Sequence, residues 1–536
     1  MDFAKIAIDN ISKWGDTDIF PFSVENALFY DKPDLVRNLI IDMERNFDAW
    51  MADYPVKCVK TCVPVGYTGY RWASSIDPLW NCFLLYQTLK ISEKLEKNRI
   101  PISKQSVFSY RLKIDEESGK IFDPDQNWRA FCTKAVEYAE SGKYRFVVRF
   151  DISDFYNRIY HHRLENNLIR CKADGNVIHR IMKILQALSD DASYGLPVGG
   201  NASRILAETL LTSFDQMLAI KRIVFCRYVD DYILFADSRE DAFKKLNYCA
   251  KYLLQNQGLG LQKSKTQVMT ISEFISQTKN VLESMEEESD EISKKRAEFL
   301  RLHIHYDPYS ATAEEDYEKL KENIKSFDVL SILKNEVRKS RIHHALGKQI
   351  LNAVSFLDGR KLDLAFSVIG ANIENLYAIF PSVMQIVRKK IQEVSPDIQK
   401  EFISTLFDLV EKDSYILQTE NNASYAVRVF AKYNDEVSYQ AIDKLYSREA
   451  SSLVRSNCLY AMANLGNGPW LSDKRPDFPS FSTWERRAFI ASSFFLNDEG
   501  KHWQIHAKKQ FSKFETIVMD WVGEKIRENK DWKFPI

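Results

Sequence analysis

Tyr228-Val229-Asp230-Asp231 constrains this chain more than any other stretch. It joins two short apolar runs, Ile223-Val-Phe-Cys-Arg-Tyr228 and Tyr232-Ile-Leu-Phe-Ala236, whose aromatic and β-branched content predicts a hairpin with the aspartates at its tip. Side chains alternate along an extended backbone, so two neighbouring aspartates reach one cation site together only at a tight turn. A further apolar run, Phe146-Val-Val-Arg-Phe150, leads straight into Asp151 of Asp151-Ile-Ser-Asp-Phe-Tyr156. Three carboxylates at two strand ends form the donor set that a pair of Mg²⁺ ions needs for in-line phosphoryl transfer.

At 536 residues the chain is too long for one ordinary core, which predicts two or three domains, and a hydrophobic fraction of 45% supports folded structure throughout. Lysine plus arginine equals aspartate plus glutamate at 74 each. With zero formal charge, no global basic field draws in nucleic acid, and any channel for it has to be a local basic patch. Of the eight cysteines only Cys58 and Cys62 are close in sequence, which suits reduced thiols and, without a second ligand pair, gives no zinc site. The Met-Asp-Phe-Ala-Lys start lacks a basic leader and no stretch approaches eighteen apolar residues, so a soluble, cytoplasmic protein with no membrane partner is expected.

Four regions follow from the patterning. Residues 1–145, an N-terminal or fingers region, alternate helical periodicity with aromatic-rich loops. Residues 146–270 read as strand, helix (Leu164 to Leu188), loop (Gly195 to Gly200), helix (Ser203 to Leu218) and hairpin, the order of a palm domain. Residues 271–340 are charged, with an acidic run from Glu283 to Asp290, and read as a helical connector. Residues 341–536 are a succession of amphipathic helices. Ser395 is an N-cap with Pro396 at the first helical position, followed by the apolar face Ile398, Phe402, Leu406 and Leu409. Ser482 with Glu485, and Ser512 with Glu515, have capping-box spacing. Helices recur in pairs at intervals of roughly 40 residues, the spacing of HEAT-type repeats.

The order of motifs resembles the reverse transcriptase family. Asp151-Ile-Ser-Asp-Phe-Tyr156 resembles polymerase motif A and Gly195-Leu-Pro-Val-Gly-Gly-Asn-Ala-Ser203 motif B. Tyr228-Val-Asp-Asp231 resembles motif C and Gly258-Leu-Gly-Leu-Gln-Lys-Ser-Lys-Thr266 motif D. The resemblance implies an α+β fold, a reverse-transcriptase fingers–palm domain followed by an all-α HEAT-like helical-repeat domain. It also implies that Asp151, Asp230 and Asp231, with the backbone carbonyl of Ile152, hold two Mg²⁺ ions, for which Mn²⁺ could substitute. Tyr156 stands where the family places an aromatic ring beneath the incoming sugar, which excludes a 2′-hydroxyl and favours dNTPs; a core tyrosine is the alternative. The Gly195-Leu196-Pro197 turn and Gly199 would let backbone approach the nucleotide closely. Here the chain reads Pro197-Val198-Gly199 where the family usually has Pro-Gln-Gly. Lys265 is expected near the leaving pyrophosphate, and Arg111 as a triphosphate clamp, with Arg129 as its competitor. Asp154 is read as a surface carboxylate, and His161 and His162 as structural.

No second acidic cluster suggests an RNase H domain, and the Asn-Ala-x-x-His and Val-Thr-Gly signatures of retron enzymes are missing. What remains resembles the bacterial abortive-infection (Abi) and other defence-associated reverse transcriptases. The residues that carry this are Gly15-Asp-Thr-Asp-Ile-Phe-Pro21, Asp151-Ile-Ser-Asp-Phe-Tyr-Asn-Arg-Ile-Tyr160 with His161 and His162, and the long helical C-terminal half. For Abi-type members the family implies anti-phage DNA synthesis without a template, primed by a protein hydroxyl. The single-stranded DNA product would then be covalently attached and the protein a homo-oligomer. Candidate primers outside the palm are Tyr306, Tyr309, Tyr415, Tyr425 and Tyr439. Two other readings are an enzyme that copies a bound noncoding RNA into DNA, and a catalytically silent palm scaffold that acts as a binding module.

Overall fold

Val147, Val148 and Phe150 are fully buried, which makes Phe146–Asp151 (β3) an interior strand. In the computed structural model β3 lies in a four-stranded sheet with Phe225–Tyr228 (β4), Asp231–Ala236 (β5) and Gln267–Thr270 (β6), in the order β4-β5-β3-β6. All three pairings are antiparallel. The structure describes residues 1–15, 17, 19–67, 69–190, 192–282, 324, 327–339, 341–342, 344–448 and 451–536. The acidic run Glu283 to Asp290, most of the expected connector, Asp16, Asp18, Tyr306 and Tyr309 lie outside the described residues.

Register decides the site. β3 pairs β5 from Phe146↔Ala236 to Asp151↔Asp231, so Val147, Arg149 and Asp151 share a face with Phe235, Ile233 and Asp231. Toward one end, that face packs Val147, Ile233, Phe235 and Met269 with Phe131 of the Trp128–Glu140 helix and Phe274 of the Ile271–Leu282 helix. On the other face Phe150 stacks on Tyr232 with ring centroids 5.0 Å apart, and Tyr232 meets Phe214 of the Asn201–Ile220 helix at 5.2 Å. The hydrophobic end anchors the strands; the polar end carries the aspartates.

The chain divides into two compact units. One comprises residues 1–18, 25–58 and 74–287, and the other residues 19–24, 59–73 and 288–536. Two N-terminal stretches therefore group with the C-terminal half, which sequence order does not suggest. Hydrogen bonds explain it: Tyr425 donates to the Ile19 carbonyl, Arg428 to the Phe22 carbonyl, and Tyr67 to the Asn375 carbonyl. Residues 59–73 belong to a hairpin, Cys58–Val65 (β1) with Gly69–Ile76 (β2), that the reading of residues 1–145 missed.

The expected helix Leu164 to Leu188 is two helices, His161–Arg170 and Gly175–Leu188. Lys172 takes a left-handed conformation at φ 56° and Asp174 accepts from the Asn176 and Val177 amides, so a turn and a cap within the polar stretch Lys172-Ala-Asp-Gly-Asn176 separate the two helices. Beyond residue 282 every described regular element is helical. In the second unit the helices Phe380–Lys390, Glu420–Phe430, Ser452–Asn464, Thr483–Ser492 and Lys513–Glu528 pack each against the next. Gly359–Ala371, Pro396–Glu411 and Glu436–Arg448 form a second such row. Ser482 with Glu485, and Ser512 with Glu515, close reciprocal capping boxes.

Candidate active site

The β4–β5 hairpin closes through a two-residue loop, Val229-Asp230, because Tyr228 pairs with Asp231. Val229 sits at φ 55°, a conformation a β-branched residue adopts only when its surroundings impose it. The imposing group is Arg227, fully buried beneath the turn, which donates to the Val229 carbonyl at 2.9 Å. Arg227 also donates to Asp215 at 2.6 Å and Glu208 at 2.8 Å; Glu208 in turn accepts from Arg99 at 2.6 Å and Ser109 at 2.5 Å, and Asp215 from Tyr232 at 2.9 Å. A buried network of this kind holds one geometry because breaking one of its ion pairs strands a charge.

Above it, Asp151 and Asp231 stand directly opposite each other on one face, with Asp230 next along the chain. Like charges facing across a ladder repel. Burial, then the charge of Asp151, lifts the Asp230 carboxyl to about 7, and the same two causes raise Asp231. Two cations offset part of this: Lys265 Nζ lies 2.8 Å from Asp151 Oδ2, and an Arg149 Nη lies 3.9 Å from Asp231 Oδ1. Burial works against the Lys265 charge, but its hydrogen bond to Asp151 and the surrounding carboxylates hold it above its ordinary value. Lys265 is delivered by the segment before β6, whose Gln262 amide donates to the Asp151 carbonyl and whose Gly260 carbonyl accepts from Ser153. Neither bond uses the Ile152 carbonyl.

The donor set suits a divalent cation: three carboxylates, one of them held toward its neutral form by its neighbours, with an ammonium already at cation distance from Asp151. Among the described residues no three His, Cys, Asp or Glu side chains form a preassembled metal cage, and Lys265 takes the place beside Asp151.

Tyr156 is half-buried five residues after Asp151; burial, then Tyr110, pushes its phenol well above the ordinary value, and Asp230 adds to this. Its carbonyl accepts from the Leu196 amide at 2.8 Å, and the Gly195 amide donates to the Ile159 carbonyl at 2.8 Å, so the motif A and motif B segments are tied together. Gly195 at φ 103° and Gly199 at φ 130° occupy conformations that favour glycine. Pro197 is buried in this loop, and its ring supports the turn. His161 is buried and donates from Nε2 to the Gly195 carbonyl at 2.7 Å, a structural role, while His162 is exposed. Asp154 is exposed, with Arg158 at 3.7 Å.

Arg111 requires a correction. Its guanidinium is turned inward, donating to the Ile100 carbonyl at 2.8 Å and paired with Glu96 at 2.5 Å, and burial beside Arg99 pushes it down to about 10. A guanidinium so engaged presents nothing to a triphosphate. Arg129 is exposed in the first turn of its helix. The cation that does lie among the site's aromatic residues is Arg204, over the Tyr110 ring at 5.4 Å and donating to Asn201 at 2.8 Å. Arg149 could have been anticipated, since it stands two residues before Asp151 and alternation puts both on one face; nothing local signalled Arg204 or the Arg227 network.

Residues 84–304 match the family described as reverse transcriptase (RNA-dependent DNA polymerase). The chain carries a polymerase domain of the reverse-transcriptase type. Such domains generally use divalent metal ions, typically Mg²⁺. No curated protein matches the sequence. Among solved structures, telomerase from Candida albicans in complex with a TWJ fragment of telomeric RNA is 12% identical, covering 83% of this chain and 69% of that one at a TM-score of 0.28. Apo telomerase from Candida tropicalis is 10% identical, covering 78% and 73% at a TM-score of 0.29. Likeness this distant carries no conclusion about the reaction. No described helix is long and apolar enough to cross a membrane.

Proposed function

We propose that this reverse-transcriptase-type polymerase is an anti-phage DNA polymerase of the abortive-infection kind, protein-primed and template-independent, acting as a homo-oligomer with HEAT-like repeats in its C-terminal half. The observation that carries the polymerase chemistry is the Asp151↔Asp231 register with Asp230 beside it. Asp151, Asp230, Asp231 and the Ile152 carbonyl would hold two Mg²⁺ ions. When bound, the ions supply charge neutralisation at the attacking hydroxyl and at the departing pyrophosphate. Lys265 stands where it can release Asp151 and donate a proton or charge to the leaving group. Tyr156 would exclude the 2′-hydroxyl, and the Gly195–Gly199 turn would lie against the nucleotide. Arg204, rather than Arg111, is the guanidinium we place toward the substrate.

The defence role rests on the Gly15–Pro21 segment, the residues following Asp151 and the helical C-terminal half. Protein priming fits a chain with zero net charge, since an enzyme that holds no long duplex needs few phosphate contacts. Tyr415, Tyr425 and Tyr439 remain as primer candidates among the described residues; of these Tyr425 is buried, and Tyr415 is half-exposed.

The test is incubation of nuclease-treated protein with Mg²⁺ and labelled dNTPs, without template or primer, followed by denaturing electrophoresis beside Asp230→Ala. Label that migrates with the wild-type polypeptide, collapses under DNase and is absent from the variant is the expected result. Product that forms only when co-purified RNA is restored would assign an RNA-templated enzyme instead. Phage protection that survives Asp230→Ala would leave only the binding-module reading.

A further inference from the structure

Two bulky residues at the site, Val229 at φ 55° and Tyr110 at φ 46°, hold a left-handed backbone that such side chains rarely adopt. Both are held in the same way. Arg227 donates to the Val229 carbonyl at 2.9 Å, and Arg99 donates to the Tyr110 carbonyl at 3.0 Å and the Ser109 carbonyl at 2.8 Å. The two guanidiniums share one oxygen, Glu208 Oε2, at 2.8 Å from Arg227 and 2.6 Å from Arg99. The Ser109 hydroxyl donates to the other Glu208 oxygen at 2.5 Å. One buried carboxylate therefore ties the Tyr110 turn to the aspartate turn.

The chain on either side of Tyr110 is fixed as well. Residues 106–108 run beside β4, where the Arg227 amide donates to the Ser106 carbonyl at 2.7 Å and the Phe108 amide to the Arg227 carbonyl at 3.0 Å. Beyond it, the Arg111 carbonyl accepts from the Asp123 amide at 2.8 Å. An unfavourable backbone persists only where its surroundings over-determine it, and such positions gather at functional sites. What this one aims is the Tyr110 ring. Half-buried, the ring meets Phe122 at 5.2 Å between centroids and Tyr228, where the motif C turn begins, at 6.4 Å. The Arg204 guanidinium lies over it at 5.4 Å. Aromatic packing tolerates many ring angles, whereas a cation is attracted only over the face. Tyr110 is also close enough to Tyr156 to help raise that phenol.

We propose that Tyr110 is a positioning residue: its ring, held by Arg99 and Glu208, directs the Arg204 guanidinium toward the triphosphate of the incoming nucleotide. Asn201, one turn earlier on the same helix, accepts from Arg204 at 2.8 Å and gives a second point of support. A guanidinium held at two points presents its planar fork in one orientation, which bidentate contact with phosphate oxygens requires. This role rests on the placing of Arg204 toward the substrate and adds the residue that sets its direction.

The test titrates the full chain with dATP by calorimetry, with Ca²⁺ replacing Mg²⁺ so that no nucleotide is consumed; binding then reports on the pocket whatever primes synthesis. Tyr110→Ala should weaken dATP binding about tenfold, the size of one partly desolvated cation–π contact. Tyr110→Phe keeps the ring face and should bind within about twofold of wild type. Tyr110→Gly suits the left-handed backbone, so its thermal midpoint should lie above that of Tyr110→Ala while its affinity is equally weak. Arg204→Ala should weaken binding at least as far, and Tyr110→Ala with Arg204→Ala no further than Arg204→Ala alone. Affinity unchanged in Tyr110→Ala beside a weakened Arg204→Ala, losses that add in the double variant, or losses that follow the midpoint across the three Tyr110 variants would overturn the role of Tyr110 and leave Arg204 at the substrate. Unchanged affinity in Arg204→Ala, or a wild type that binds no dATP, would overturn the placing of Arg204 and this role with it.

Discussion

Asp230→Asn should stabilise the metal-free protein while abolishing synthesis. Burial and the neighbouring carboxylates lift Asp230 from 3.8 to about 7. The folded state therefore keeps a proton that the unfolded chain releases, and stability falls as pH rises from about 4 to about 7, then levels off. A difference of about 3 pK units at about 1.4 kcal/mol each gives roughly 4 kcal/mol above pH 7, the cost of holding this charge against its neighbours. Asparagine never ionises and escapes that cost. The assay is the thermal midpoint of wild type and variant in EDTA at pH 5 and pH 8. At roughly 2–4 °C per kcal/mol the gain is on the order of 10 °C at pH 8, and it shrinks to well under half of that at pH 5. Added Mg²⁺ should narrow the gap at pH 8, because the cation binds the folded wild type and stabilises it by mass action. A variant less stable than wild type at pH 8, or a gain independent of pH, would refute the claim that the carboxylates are held together against their repulsion.

Lys265→Ala should slow nucleotide incorporation about 10²-fold in single-turnover measurements and leave the denaturation midpoint in place, since the side chain is 61% exposed; an unchanged rate would remove Lys265 from the chemistry. Arg227→Met strands Asp215 and Glu208 beneath the turn and should cost about 3–5 kcal/mol in urea unfolding, a loss that a merely peripheral ion pair would not produce. Tyr156→Ala should reduce the preference for dNTPs over rNTPs by a factor of roughly 10–200, read from paired incorporation rates, while a tyrosine that only packs would lower both rates alike.

Sequence by itself determined the motif C turn, the strand leading to Asp151, the loop between Gly195 and Gly200 and the helical character of the C-terminal half. Alternation, glycine placement and capping act over a few residues, so they are visible without a fold. The break at residues 171–174 lies in the polar stretch Lys172-Ala-Asp-Gly-Asn176, whose Asp-Gly pair is a local turn signal that a reading by apolar periodicity alone passes over. Tertiary structure alone decided which charges meet. Arg111 looks like a free phosphate clamp until Glu96 is found beside it, and Arg227 like an ordinary strand residue until Glu208 and Asp215 close around it beneath the turn. A side chain's charge is a property of the residue, but its partner is set by which surfaces the packed helices and strands bring together, and that information is not local to any segment.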